Sequence, residues 1–132
     1  MAPRVGIAGY GLAGRYFHAP LLVGAGFEVA TILTTNNQRI ADAQTDFPSA
    51  KIVENLDDLI ASKIDLLVVA SANDAHASQA IASLKAGIPV VVDKPMGRTL
   101  LFWTFIGVEL FLFFRFILFP IFKLFKLQKG ID

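Results

Sequence analysis

Residues 5–14 read VGIAGYGLAG, an apolar run (Val5, Ile7, Ala8) placed directly against glycines at Gly9, Gly11 and Gly14. Few folds accommodate that order of residues, because it calls for a buried strand, a tight turn and a helix in immediate succession. In such a unit Gly9 permits the turn and Gly11 lets the backbone come close to a pyrophosphate. Gly14 lets the following helix press against its sheet. The helix starting there presents unsatisfied N–H groups and the positive end of its dipole to phosphate. The spacing G-x-G-x-x-G is a weak signal alone. Here a strand precedes it, an amphipathic helix follows, and α/β alternation continues downstream, so dinucleotide binding is expected rather than a ligand-free glycine turn.

The downstream pattern predicts a strand at 4–8, a helix over about 12–23 ending at Gly24-Ala25-Gly26, and a second strand at 28–33. A helix over about 37–46, stopped by Pro48, leads to a short strand at 51–53. Asn55 is read as the cap of a helix through about Ala61, with Asp57 and Asp58 near its positive end. DLLVVA at 65–70 reads as a fourth strand, a helix opens at Asn73 or Asp74 and runs to Ala86, and 89–92 reads as a fifth strand entering Asp93-Lys94-Pro95. Five such units predict an α/β fold, a doubly wound parallel sheet with right-handed crossovers, the Rossmann arrangement. Ligands of such sheets lie beyond the carboxyl ends of the strands. Gly9–Gly14, Thr34–Asn36, Ser71–His76 and Asp93–Pro95 all fall at that edge, and Tyr10 and Leu12 fill variable positions of the glycine loop, where shape contacts with a coenzyme are expected.

Coenzyme choice is read at the end of the second strand. An NAD site usually places Asp or Glu about 20 residues past the glycines, bonded to the ribose 2′-hydroxyl. The corresponding stretch, Thr34-Thr35-Asn36-Asn37-Gln38-Arg39, holds no carboxylate. Small hydroxyls on Thr34 and Thr35 with Arg39 suit a 2′-phosphate, which favours NADP over NAD, the competing reading of Arg39 being a solvated helix residue. The absence of cysteine rules out disulfides and thiolate ligands and suits a reducing cytoplasm; two distant histidines give no expectation of a metal site. A net charge of +1 leaves no electrostatic footprint for nucleic acid. Met1-Ala2-Pro3-Arg4 runs straight into the first predicted strand, so no leader is expected.

GYGLAGRYFHAP at 9–20 and DLLVVASANDAHASQAIASLKAGIPVVVDKP at 65–95, with the spacing between them, resemble the Gfo/Idh/MocA oxidoreductases, a family that includes glucose–fructose oxidoreductase and inositol dehydrogenase. The resemblance covers residues 3–99. It implies an N-terminal nicotinamide-coenzyme domain joined to a larger substrate domain with an open antiparallel sheet. The implied reaction passes hydride between NAD or NADP and a sugar, inositol or related polyol. It also implies that Lys94, in the family's (E/D)KP motif, reaches the nicotinamide and substrate region as the catalytic lysine, with Pro95 fixing the backbone there. A cation at that strand end has a direct use, since it can polarise a carbonyl or hydroxyl. Asp93 either holds that lysine or merely ends the strand. His76, three residues after Asn73, matches the family's N-x-x-H element beside the coenzyme; a helix-start histidine satisfied by nearby backbone is the competing reading. For His18 packing or local hydrogen bonding is expected rather than chemistry.

Composition breaks near Thr99. Residues 1–99 hold seventeen alanines and three phenylalanines, whereas 100–132 hold no alanine and nine phenylalanines. The resemblance implies an alanine-rich helix, a sixth strand and the substrate domain after Thr99; the sequence there is LLFWTFIGVELFLFFRFILFPIFKLFKLQKGID. The expected organisation is therefore a coenzyme domain at 1–99, cut short of its last helix and strand, and an unrelated apolar, helical tail at 100–132. Stand-alone turnover is not expected of it. Residues 100–122 are long enough to cross a bilayer, but Glu109 and Arg115 bring insertion close to balance, and Lys123, Lys126 and Lys129 would lie on the disfavoured side. A truncated or frame-shifted product is the preferred reading of the tail. A non-catalytic nucleotide-binding protein held at a membrane or partner through the tail is the alternative, and nine phenylalanines predict self-association.

Overall fold

The computed structural model describes residues 2–94. Pro95, the boundary near Thr99 and the apolar segment 100–132, with the expectations attached to them, lie outside the described residues. The described chain runs β1 (Arg4–Ala8), a π-helical turn (Gly14–His18) continuing into α1 (Ala19–Gly24), β2 (Glu28–Leu33), α2 (Asn37–Asp46) and β3 (Lys51–Val53). It then forms α3 (Leu56–Ile60), β4 (Leu66–Val69), α4 (Asn73–Lys85) and β5 (Val90–Val92). All four strand pairings are parallel and the order is β3-β2-β1-β4-β5. Chain order reverses between β1 and β4, which opens the crevice expected of a doubly wound sheet.

Both faces of the central strands β1, β2 and β4 are covered, which explains their near-continuous apolar character. On one face Val5, Ile7, Ile32 and Val68 pack with Ala19 of α1, Ala43 of α2, Tyr10 and Phe47. On the other, Ala8, Leu67 and Val69 pack with Leu59 of α3 and Ile64, with Val90 and Val92 of β5 alongside. Side-chain amides fix two helix starts: Asn36 accepts from the Arg39 N–H and Asn55 from the Asp58 N–H.

The first helix departs from the regular one predicted. Between Gly14 and His18 it widens into a π-turn, closed by the Ala19 N–H on the Gly14 carbonyl. Pro20 supplies a physical reason: it has no N–H for the Tyr16 carbonyl, and its ring crowds that carbonyl in a regular α-turn. A wider turn relieves both problems.

Two glycines bring this helix to the sheet. Gly9 holds φ +98°, and a Cβ there would stand 2.6 Å from the Ser71 Cα and 2.7 Å from the Ala70 carbonyl oxygen. At Gly14 a Cβ would collide with the Gly9 carbonyl oxygen. Gly24, by contrast, has open space around it. Gly14→Ala is expected to lower stability by about 1–3 kcal/mol, the usual cost of overpacking. Gly24→Ala is expected to be neutral or to stabilise by up to about 1 kcal/mol. Urea unfolding midpoints of the two variants against the parent test the contrast, and equal midpoints would refute it.

Candidate functional site

The crevice between β1 and β4 is bordered by the two helices that follow those strands. Neither the first helix nor α4 has its start closed by a side chain: Gly11, whose carbonyl accepts the Arg15 N–H, and Ala72 stand at the capping positions. The first N–H groups of a helix have no partner within it, so these two starts leave donors for a ligand. The capped helices α2 and α3 differ in this respect.

Beside Gly9 a groove of about 270 Å³ is lined by Thr34, Thr35, Asn36, Arg39, Glu54, Ser71 and Gln79, among others. It brings together five residues singled out from sequence: Gly9, Thr34, Thr35, Arg39 and Ser71. A second cavity of about 260 Å³ shares Asn36 and Arg39 with it and adds Tyr10, Gly11, Leu12, Arg15 and Asp42. The Arg39 guanidinium lies over Gly11, 3.5–3.7 Å from where a Cβ on that glycine would stand. Arg39 is thus exposed to solvent with its guanidinium beside the glycine loop.

Glu54 and Gln79 were not anticipated. Glu54 follows β3 directly, so the carboxyl-edge rule applied to the third strand would have found it. Gln79 lies two helical turns beyond Ala72 and accepts a 2.6 Å hydrogen bond from the Ser71 hydroxyl. Thr34 is buried and its N–H bonds to the Val53 carbonyl. Leu12 is exposed. Tyr10 is 1 % exposed, so its ring belongs to the core and only its backbone runs with the glycine loop. Asn73 lies at the start of α4, exposed to solvent. His76 is 1 % exposed, with Nε2 2.9 Å from the Ser71 carbonyl oxygen.

Lys94 is exposed just past β5, and its N–H donates to the Asp93 carboxylate at 2.8 Å. The other oxygen of Asp93 lies 3.3 Å from His18 Nε2 in the first helix. The Lys94 N–H, and then His18, hold the Asp93 carboxyl below its ordinary range. The structure therefore joins the end of β5 to the first helix, a link between residues 75 positions apart that spacing does not reveal.

A second carboxylate cluster fixes α2. Arg15 Nε and Nη2 engage the two oxygens of Asp46 at 2.7 and 3.2 Å, and Nη1 meets Asp42 at 2.7 Å. The Tyr10 hydroxyl donates to the same Asp46 at 2.9 Å. Arg15, and with it Tyr10, lowers the Asp46 pKa; burial, and then the bond to Asp46, raises that of the Tyr10 phenol well above its ordinary value. The signs give opposite pH limits. Stability from Asp46 is present above the ordinary carboxylate range and fades as pH falls through the depressed value. Stability from Tyr10 is present below about pH 10 and fades as pH rises beyond it. Tyr10→Phe is expected to lose about 1 kcal/mol near neutrality and to show a shallower loss above about pH 10. Denaturant unfolding across that range checks it, and an identical alkaline slope in parent and variant would contradict the assignment.

With this geometry in place, comparison with known proteins is specific. Residues 3–101 match the Gfo/Idh/MocA family, described as an oxidoreductase family with an NAD-binding Rossmann fold. The uncharacterised oxidoreductase YdgJ of Escherichia coli (strain K12) is 41 % identical over 99 residues, covering 74 % of this chain and 28 % of the relative. The scyllo-inositol 2-dehydrogenase (NADP(+)) IolW of Bacillus subtilis (strain 168) is 36 % identical over 98 residues, covering 73 % and 26 %. The crystal structure of the WlbA dehydrogenase of Bordetella pertussis, in complex with NADH and UDP-GlcNAcA, aligns with a TM-score of 0.65 at 29 % identity, covering 74 % of this chain and 30 % of that one. The chain spans less than a third of the length of the curated relatives it matches.

Proposed function

We propose a coenzyme-holding function, because this chain belongs to the Gfo/Idh/MocA oxidoreductase family through its NAD-binding Rossmann domain. The coenzyme is NADP in preference to NAD, and the reaction it serves is hydride exchange with a hydroxyl-bearing carbon of a sugar, inositol or related polyol. The substrate class follows IolW, a scyllo-inositol 2-dehydrogenase that is itself NADP-linked.

The residues present fit a dinucleotide. Gly9 and Gly14 accept contacts that a Cβ would block, and the two uncapped helix starts supply N–H donors beside the crevice. The observation that carries the coenzyme preference is Arg39 lying over Gly11, with Thr34, Thr35 and Asn36 at the tip of β2. A ribose 2′-hydroxyl calls for an acceptor there, whereas a 2′-phosphate calls for a cation and hydroxyl donors. A second reading rests on Glu54, which brings a carboxylate into the same groove from β3 and would serve NAD.

Nicotinamide, when bound, supplies the hydride carrier. This chain's own residues hold and orient it. Lys94 presents an ammonium at the carboxyl end of β5, where it polarises a substrate oxygen and favours its proton transfer. Asp93 fixes the backbone of that lysine, and His18 ties Asp93 to the first helix.

Titration of the purified chain with NADPH and NADH, read by nicotinamide fluorescence, tests the proposal. NADPH is expected to bind more tightly. Arg39→Ala is expected to cost about 1.5–3 kcal/mol of NADPH affinity and to leave NADH within about threefold, since only the phosphate loses charge-assisted bonds. Glu54→Gln should leave NADPH within about threefold. Preferential loss of NADH in Glu54→Gln, with no effect of Arg39→Ala, establishes the NAD reading instead.

A further inference from the structure

The NADP reading leaves open what holds Arg39 over the glycine loop. Arg39, Asp42 and Asp46 follow one another at helical spacing on α2, and that stripe meets the first helix through Arg15. All three guanidinium nitrogens of Arg15 are engaged, two by Asp46 and one by Asp42. These contacts tie three of its five N–H groups to α2, and Arg15 lines the same cavity as Gly11, Arg39 and Asp42.

Charge makes this arrangement consequential. Asp42 stands in the cavity where a 2′-phosphate would approach Arg39, and a lone carboxylate there would repel it. Arg15 and Arg39 together balance Asp42 and Asp46, so the two acids are neutralised beside the cavity. Without Arg15 the balance turns negative, and Asp46 is left without its cationic partner.

We infer that Arg15 is a positioning residue for coenzyme discrimination: bridging Asp42 and Asp46, it holds α2 against the glycine loop, keeps Arg39 over Gly11 and neutralises the acids beside the phosphate. The inference rests on the NADP reading. Preference for NADPH thus arises from two cations with different tasks. Arg39 meets the phosphate, and Arg15 makes the place hospitable to it. A lysine cannot substitute, because a single ammonium lacks the planar fork that reaches both carboxylates.

The test measures NADPH and NADH affinities of the full 132-residue chain as a ratio. A purely structural role moves both coenzymes together, whereas positioning moves the ratio. In Arg15→Met the NADPH-over-NADH preference is expected to fall about tenfold, nearly all of it from weaker NADPH binding. In Arg15→Lys, which retains the charge and serves where the Met variant fails to fold by circular dichroism, it is expected to fall at least about threefold. A ratio within about twofold of the parent in a folded Met variant overturns the inference, as does equal weakening of both coenzymes. A parental ratio in the Lys variant overturns the requirement for the bridging fork. If the parent itself shows no preference for NADPH, the coenzyme reading fails and the role of Arg15 falls with it. If the parent prefers NADPH and Arg39→Ala abolishes that preference while Arg15→Met does not, only the role of Arg15 is lost.

Discussion

Backbone meets backbone where Gly9 passes the Ala70–Ser71 peptide, and that approach governs what lies around it. With no Cβ at Gly9, the end of β1 can lie against the end of β4 at their carboxyl edge. With none at Gly14, the first helix can start directly against the Gly9 carbonyl. Larger residues would force these elements apart and shift the helix N–H donors away from the strand end at the reversal of strand order. The uncapped starts of the first helix and α4 belong to the same economy of structure. Donors that Asn36 and Asn55 satisfy elsewhere are left for a ligand at these two places.

The scaffold was legible because its signals are local and mutually consistent. Glycine spacing, apolar strands and Asn caps each act over a few residues, and the bounds of β1, β2, α2 and β3 agree with the pattern read from sequence. The last two strands run one or more residues shorter at their ends: β4 covers Leu66–Val69 and β5 Val90–Val92. Asp65 and Pro89 lie just outside them, though both still pair through the backbone: the Asp65 N–H donates to the Arg4 carbonyl, and the Pro89 carbonyl accepts from the Leu67 N–H while its ring nitrogen has no N–H to give. The π-turn was missed because hydrophobic periodicity cannot distinguish one widened turn from a regular one, although Pro20 stands in the sequence as its physical reason.

The site was legible at its glycines and at the tip of β2, and less so wherever a side chain acts across elements. Tyr10 occupies a variable position in the loop, which suggests contact with a coenzyme, yet its ring turns inward to Asp46. Periodicity along α2 predicts that Asp42 and Asp46 share a face but says nothing of the cation that faces them. His18 and Asp93 stand at opposite ends of the described chain and meet only because β5 joins the sheet beside β4. Such contacts depend on topology, and one-dimensional spacing has no access to them.

These contacts share one helix. Arg15 and His18, three residues apart, serve opposite ends of the crevice: Arg15 ties the first helix to α2, and His18 ties it to the strand end that bears Lys94. In a regular α-helix residues so spaced lie on one face. A turn closed from residue i to i+5 spreads them further around the axis. The π-turn at Gly14–His18 thus does more than accommodate Pro20, since it lets one short segment brace two elements on different sides. Straightening that turn would redirect Arg15 or His18, and with it the approach of Arg39 or of Lys94 to the crevice. On the proposed NADP reading, coenzyme preference and the placement of the proposed catalytic lysine would be coupled through the geometry of these five residues.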